Sequence, residues 1–341
     1  MKFLHASLCF LLMMLFAFSL SAAETEDKLS EGMVNPGYHE KPSWFKESFL
    51  DIREDIDEAT AGNKRVLLYF YQDGCPYCEK LLRDNFTDRE IAAYSQQNFD
   101  VIAINMWGDR EVVDVNGDTV TEKEFSRNLK VQFTPTMVYL DEAGKKLLRI
   151  NGYFAPDRFL TALKYIGEKK EKTLSIRDYF KQLKPAQASG KLHLEHNTLT
   201  SDLTKATRPL VVSFEQKVCK DCDGLHGDIL NRENVKQSLS RFDFMAVDMW
   251  SEDKITVPDG RSLKIADWAK ELGIQYSPSM VFFVDNTEVF RTEAYLKSFH
   301  TKAALDYVSN GTYKTVTEFQ RYVQQVADDL HARGIEYDLM D

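Results

Sequence analysis

The sequence predicts an α/β protein built from two tandem copies of one domain, each a central mixed sheet flanked by helices. Short apolar runs that suit buried strands alternate with amphipathic helical segments along the chain. The same order of motifs occurs in residues 44–184 and again in residues 199–341, at an offset of about 143 residues. The matching motifs are Cys75-Pro76-Tyr77-Cys78 with Cys219-Lys220-Asp221-Cys222, Asn105-Met106-Trp107 with Asp248-Met249-Trp250, and Phe133-Thr134-Pro135-Thr136 with Tyr276-Ser277-Pro278-Ser279. A repeat this long indicates a duplicated domain and not a short-period solenoid.

The composition is that of a globular protein. The 341 residues are 43% hydrophobic and 28% charged, which allows a sizeable core in each half. The formal net charge of -10 argues against a nucleic-acid partner, because phosphate binding needs a basic face.

The first 23 residues have the pattern of a secretory signal peptide. Lys2 gives a small positive region, Leu8 to Leu20 is apolar, and small residues at 21–23 offer a cleavage site. We expect cleavage after Ala23, then a polar segment at 24–43, and export to the periplasm. The alternative is an uncleaved anchor that holds the protein on the membrane facing the periplasm, since the apolar run approaches the roughly 20 residues that a span needs.

The first copy, at 44–184, contains the predicted elements in a clear order. Apolar runs, capping residues and turn signals place them. They are a helix at Trp44–Ala59, a strand at Val66–Tyr71, a helix from Cys75 past Leu82, a helix capped by Asp88, a strand at Val101–Met106, a hairpin at Val112–Val120, a helix at Lys123–Leu129, strands at Thr136–Leu140 and Leu147–Ile150, and helices at Asp157–Ile166 and Ser175–Leu183.

The second copy, at 199–341, follows the same order after a small, polar linker at 185–198. Its predicted strands are Leu210–Phe214, Phe242–Met249, Met280–Val284 and Val289–Arg291. It ends in a long helix, predicted at Thr317–Arg333.

Four of the five cysteines form two C-x-x-C pairs, and the fifth, Cys9, lies in the leader. A disulfide across so short a loop removes little chain entropy, so the pairs suit redox chemistry better than stabilisation. Cys75 stands at the predicted start of a helix, where unpaired N–H groups and the helix dipole favour its thiolate. Pro76 suits the first turn of that helix. We therefore predict that Cys75 is the attacking thiol and that Cys78 resolves the mixed disulfide.

The order strand, C-x-x-C, helix, with Thr134-Pro135 about sixty residues later at the start of a strand, resembles the thioredoxin superfamily. Within it the first copy is similar to the SoxW-type branch of bacterial periplasmic thioredoxins. The resemblance implies that Pro135 is a cis-proline beside the cysteines and that Thr134 offers backbone groups to an extended substrate. In the second copy Pro278 and Ser277 take these places.

Two departures from that family pattern matter. Thioredoxins carry a buried acid six residues before the first cysteine, and here those positions hold Tyr69 and Ser213. A nearby acid such as Asp73 or Glu79, or water, would then move the proton. Glutaredoxins share the Cys-Pro-Tyr-Cys motif, but the Gly-Gly pair that they use for glutathione is absent after Pro135, so we expect no glutathione dependence.

The second pair, Cys219 and Cys222, has weaker support. Lys220 would lower the pKa of Cys219, while Asp221 would oppose that change. The sequence leaves open an active redox pair or a retired, structural disulfide.

His226 and the spacing of the two cysteine pairs do not require a further functional site. His226 lies four residues after Cys222, where it could tune the second pair, but we expect it to be half-exposed. The two cysteine pairs lie too far apart in the chain for a zinc ribbon, so we predict no metal site at the cysteines.

These observations predict an exported thiol–disulfide oxidoreductase without a cofactor. The partners would be protein thiols and disulfides. The resemblance favours the reducing role over the oxidising one, with a membrane thiol–disulfide protein as electron donor. The alternative is a redox-linked binding or chaperone module in which the second copy holds partner proteins without catalysis. A third hypothesis is an electron relay between the two pairs.

Overall fold

The computed structural model describes residues 38–180 and 188–339. The predicted signal peptide and residues 24–37 of the polar segment lie outside these residues, as do the end of the helix predicted at Ser175–Leu183 and the start of the predicted linker. Within them, each copy contains one four-stranded mixed sheet and one short two-stranded hairpin. The duplicated α/β architecture that the sequence predicts is therefore confirmed.

The first copy contains the following elements: α1 (Ile52–Ala61), β1 (Arg65–Tyr71), α2 (Pro76–Leu81) with a π-helical turn (Leu82–Phe86), α3 (Arg89–Asn98), β2 (Phe99–Asn105), β3 (Glu111–Val113), β4 (Thr119–Thr121), α4 (Glu122–Asn128), β5 (Thr136–Leu140), β6 (Lys146–Asn151), α5 (Pro156–Gly167) and α6 (Ile176–Phe180). The sheet order is β2-β1-β5-β6. β1 runs parallel to β2 and antiparallel to β5, which is antiparallel to β6.

The second copy repeats this arrangement with β7 (Leu210–Glu215), α7 (Lys220–Gly227), α8 (Glu233–Leu239), β8 (Asp243–Asp248), β9 (Lys254–Thr256), β10 (Ser262–Lys264), α9 (Ile265–Glu271), β11 (Ser279–Val284), β12 (Thr287–Thr292), α10 (Ser298–Ser309) and α11 (Phe319–Ala332). Its sheet order, β12-β11-β7-β8, is the same when read from the other edge.

The central strand β1 is buried on both faces because helices cover both sides of the sheet. Leu67 and Tyr69 point into a core that also contains Leu81, next to the first cysteine pair. Leu68 and Phe70 point to the opposite core, beneath α1 and α4. Because side chains alternate along the strand, one face of the sheet packs against α2, the helix that begins at the first cysteine pair.

The first helix begins later than predicted. Leu50 has a positive φ of 66° and Asp51 caps α1 by accepting hydrogen bonds from the backbone N–H groups of Arg53 and Glu54. The predicted start at Trp44 is therefore wrong, because the cap at Asp51 sets the boundary. The apolar residues before the cap pack as a separate segment, in which Trp44 and Phe45 contact Phe86 through their rings.

The two copies exchange equivalent aromatic residues. Phe133 of the first copy packs in the core of the second, against Phe290 and Phe319. Tyr276 of the second copy packs in the core of the first, with its ring centroid 5.2 Å from that of Phe154. Each residue comes two positions before a cis-proline, so the motifs around both cis-prolines take part in the contact between copies.

The segment that precedes the second copy follows the edge of its sheet. The Thr198 N–H donates to the Phe244 carbonyl, and the Ala246 N–H donates to the Asn197 side chain. In the first copy, the Lys46 N–H donates to the Val101 carbonyl in the matching way. Across residues 38–180 and 188–339, the helices are all too short or too polar to span a bilayer.

Candidate functional site

The first cysteine pair lies at the start of α2, directly after the turn that follows β1. Gly74 turns the chain with a φ of 74°, and Cys75 is the N-cap of α2 with Pro76 in the first turn. The Cys75 Sγ accepts a hydrogen bond from the Cys78 N–H at 3.1 Å. The two cysteines form a disulfide and are 3% and 1% exposed. In the reduced protein, the same N–H group and the helix N-terminus would stabilise a Cys75 thiolate.

The Thr134–Pro135 peptide bond is cis, and the Thr134 carbonyl oxygen lies 3.4 Å from the Cys75 Sγ. The structure therefore brings Cys75, Cys78, Thr134 and Pro135 together, as the sequence resemblance implies. The next residue, Thr136, donates its hydroxyl to the Phe133 carbonyl, which holds the turn before β5.

Position 69, where thioredoxins carry a buried acid, is occupied by a tyrosine in an apolar environment. Tyr69 is fully buried, its hydroxyl has no hydrogen-bond partner among the described residues, and burial raises its pKa far above the usual range. Its ring stacks on Tyr71 at 5.8 Å. A proton acceptor for Cys78 must therefore come from elsewhere or from water, as the departure at position 69 implies.

Tyr77, the second of the two residues between Cys75 and Cys78, faces the second copy. Tyr77 packs edge-on against His300, with ring centroids 5.4 Å apart. Burial raises the pKa of Tyr77 well above its usual range and lowers the pKa of His300 to about 4. A neutral imidazole is thus packed against the first redox motif at neutral pH.

The second pair repeats this geometry. Cys219 is the N-cap of α7, and its Sγ accepts a hydrogen bond from the Cys222 N–H at 3.0 Å. The Ser277–Pro278 bond is cis, and the Ser277 hydroxyl lies 3.2 Å from the Cys222 Sγ. Cys219, Cys222, Ser277 and Pro278 therefore form one cluster, and the two cysteines are joined as a disulfide.

Asp221, which lies between Cys219 and Cys222, contacts one residue of each copy. It accepts a hydrogen bond from the Tyr276 hydroxyl at 2.9 Å and lies 3.6 Å from the Arg158 guanidinium of the first copy. Arg158 also lies over the Tyr276 ring, 4.6 Å from its centroid. The nearby guanidinium offsets part of the repulsion that Asp221 would exert on a Cys219 thiolate.

Two buried polar side chains, whose contact the sequence does not predict, lie between α7 and β7. Glu215 and His226 are both fully buried, and the His226 Nε2 lies 2.7 Å from the Glu215 Oε1. The Ser213 hydroxyl donates to the same oxygen at 2.7 Å. The expectation that His226 is half-exposed is wrong, because α7 turns it inward against β7. The signals available were a carboxylate at the end of an apolar strand and a histidine four residues after Cys222.

The fold and the paired cysteines at helix N-termini define the class as thioredoxin-like proteins with two C-x-x-C motifs. The thioredoxin-like domain family matches residues 52–167 and 198–309, and the chain belongs to this family. The finer assignment to a SoxW-type branch stays a prediction.

Two curated relatives share sequence with one part of the chain. The thiol:disulfide interchange protein DsbD of Actinobacillus pleuropneumoniae serotype 5b is 25% identical over 119 residues, and that of Ralstonia nicotianae is 25% identical over 118. Each match covers 34% of this chain and 18% of the relative. The chain thus spans under a fifth of the length of these relatives.

Solved structures align with it in part. A thioredoxin-fold protein from Helicobacter pylori is 27% identical, with 40% of this chain and 92% of that chain covered and a TM-score of 0.31. A thioredoxin from Thermus thermophilus is 24% identical, with 34% and 83% covered and a TM-score of 0.28.

Proposed function

We propose that this protein is an exported thiol–disulfide oxidoreductase that reduces disulfides in protein substrates through Cys75 and Cys78. The observation that carries the proposal is the position of Cys75. It caps a helix, its sulfur receives the Cys78 N–H, and it faces the carbonyl before a cis-proline. These features favour a thiolate next to a backbone edge on which an extended peptide could align.

The reaction has two exchange steps. The Cys75 thiolate attacks one sulfur of the substrate disulfide, forms a mixed disulfide and releases the other substrate sulfur as a thiolate. Cys78, once deprotonated, attacks the Cys75 sulfur and releases the second substrate thiolate. The pair ends oxidised, and the two electrons and two protons must be restored by a dithiol donor. We propose a membrane thiol–disulfide protein as this donor, in line with the thiol:disulfide interchange function named for both curated relatives.

Two cysteine variants test the assignment. We expect Cys75→Ser to abolish reduction of insulin disulfides, because it removes the attacking thiolate. Cys78→Ser should instead accumulate mixed disulfides, which non-reducing electrophoresis detects, since nothing resolves them. Full insulin reduction by Cys75→Ser would overturn the proposal.

The matched control removes the second pair with Cys219→Ser and Cys222→Ser together. Unchanged turnover in this variant assigns the reaction to the first copy alone, whereas a loss assigns it to a relay that includes both pairs. The reduction potential of each pair then gives the direction. A reductase should lie near about -270 mV and an oxidase near about -120 mV.

A binding module is the second candidate function, and one feature favours it. A cavity of about 690 Å³ is lined by both copies, including Phe133, Phe154, Tyr276 and Phe290. The lining combines these aromatic rings with charged side chains such as Lys146, Arg149 and Glu293, which suits an amphipathic segment of a partner. Suppression of aggregation of an unfolded client by the variant without its four C-x-x-C cysteines would support this function. No suppression by that variant would remove it.

A further inference from the structure

We propose that His193, Glu195 and His226 form a binding site for a divalent transition-metal ion of the zinc class, beside α7, the helix that carries the second cysteine pair. The three residues come from two distant parts of the chain, the segment before the second copy and α7. One ligand atom from each residue lies within 4.8 Å of the others. The site uses no cysteine and is separate from the two redox pairs.

The distances suit a small tetrahedral ion. The Glu195 Oε1 lies 3.2 Å from the His193 Nδ1 and 3.7 Å from the His226 Nδ1. Ligand atoms about 2.0–2.2 Å from zinc at tetrahedral angles are roughly 3.3 Å apart. The two imidazole rings are almost parallel, with centroids 4.9 Å apart, so binding requires a turn of the partly exposed His193 ring.

The Nε2 atom of each histidine lies next to a carboxylate, an arrangement that is common for histidines that bind a metal through the other ring nitrogen. The His193 Nε2 lies 2.7 Å from the Asp223 carboxylate, and the His226 Nε2 lies 2.7 Å from the Glu215 carboxylate. A carboxylate on the far nitrogen of His226 orients the ring and places the proton there, which leaves its Nδ1 lone pair for a metal. The His193 Nδ1 faces the Glu195 carboxylate, so a bound ion would replace the proton between these two groups. The contact between Nε2 and a carboxylate occurs twice within one cluster, with both Nδ1 atoms near Glu195.

One of these lone pairs has no other use in the fold. The His226 side chain is fully buried, and its Nδ1 has no hydrogen-bond partner among the described residues. A buried polar atom in this state costs stability unless something satisfies it. Glu195 is 51% exposed, which gives an ion a path from solvent to the buried nitrogen.

The first copy shows that the fold does not require these polar groups. At the positions matching Glu215 and His226 it has Tyr71 and Leu82, and the region is filled by aromatic rings. Three carboxylates, Glu195, Glu215 and Asp223, surround two imidazoles in the second copy, and a divalent cation would offset most of their charge. Nitrogen donors exclude calcium and magnesium and favour zinc, copper or nickel.

Titration of the full chain with zinc chloride tests the site, with both cysteine pairs oxidised so that no thiolate competes. We expect one zinc ion per chain. His193→Gln and Glu195→Gln each remove a ligand and should lower the affinity at least about tenfold. Asp223→Asn should lower it by about 10- to 100-fold through the orientation of His193. These residues are partly exposed, so the variants should fold, and circular dichroism checks this.

His331→Gln is the matched control, since His331 lies exposed near the end of α11 and far along the chain from the site. Its affinity for zinc should equal that of the wild type. Copper bound in place of zinc should show hyperfine coupling to two nitrogens. Equal zinc affinity in all of these variants, or binding that disappears when Cys219 and Cys222 are both replaced by Ser in the oxidised protein, would overturn the proposal.

Discussion

Equivalent residues in the two copies have opposite chemistry beneath otherwise similar redox motifs. Tyr69 and Tyr71 of β1 stack as aromatic rings, whereas β7 carries Ser213 and Glu215 on the same face. Both pairs fit the same strand position, because Tyr69, Ser213 and Glu215 are buried, Tyr71 is partly buried, and the side chains alternate in the same way. The local sequence therefore decides the electrostatics of each site without changing the backbone that holds the cysteines.

The buried pair of Glu215 and His226 gives a stability prediction. Glu215→Ala leaves a fully buried imidazole without its carboxylate, and we expect a loss of about 3–5 kcal/mol in the free energy of unfolding. The double variant Glu215→Tyr with His226→Leu inserts the residues of the first copy and should recover most of that loss. Urea unfolding in chelator-containing buffer measures both, and wild-type stability in Glu215→Ala would contradict the prediction.

His300 gives a pH prediction. Burial lowers its pKa to about 4 in the folded protein, against about 6.5 in an unfolded chain. Below pH 6.5 the unfolded chain binds a proton that the folded protein does not, so stability falls as the pH drops toward 4. The contribution is about 3 kcal/mol across that window. His300→Phe keeps a ring against Tyr77 but cannot titrate.

The measurement compares urea unfolding of the wild type and of His300→Phe at pH 7 and pH 4.5. The wild type should lose more stability than the variant over this interval. Equal losses would mean that His300 titrates normally in the folded protein.

At the scale of elements, caps decide boundaries that periodicity leaves open. The helix predicted from Trp44 begins only after Asp51, because the Asp51 carboxylate satisfies the first free N–H groups. The strands are placed closely by their apolar runs: β5 has the predicted bounds, and β1 differs from its prediction by one residue. The cysteine helices begin at a sulfur cap, which the C-x-x-C spacing itself provides.

The α4 cap gives a matched comparison between copies. Thr121 forms a capping box with Glu124, while the equivalent Lys264 offers no side-chain cap to α9. Thr121→Ala should cost about 1 kcal/mol of stability, whereas Lys264→Ala should change it by less than about 0.5 kcal/mol. Thermal unfolding of both variants measures the difference. Equal effects would mean that the box adds nothing to the fold.

At the scale of the whole molecule, both redox motifs contact the opposite copy. Tyr77 packs against His300, and Asp221 lies near Arg158. The exchange of Phe133 and Tyr276 between the cores holds the copies in this arrangement. Access to the cysteines from solvent therefore depends on how firmly the two copies pack together.

Loosening this contact should expose the cysteines. Phe133→Ala removes a buried ring from the core of the second copy and should cost about 3–5 kcal/mol. We expect it to speed the reduction of the Cys75–Cys78 disulfide by dithiothreitol, because opening between the copies becomes more frequent. Phe242→Ala is the control, since it truncates a core residue of the second copy that packs against Phe282. Equal rates for both variants would contradict the prediction.

The sequence by itself determined the duplication, the sheet and the four cysteines at helix starts. These features follow from motif order, apolar periodicity and local spacing, which a linear chain displays directly. Only the tertiary structure decided that His226 contacts Glu215 and that His193 and Glu195 lie next to the His226 ring. It also decided that Phe133 and Tyr276 each pack in the core of the opposite copy. Each of these contacts joins side chains from different elements, so the packing of the elements and not the local pattern selects the partner.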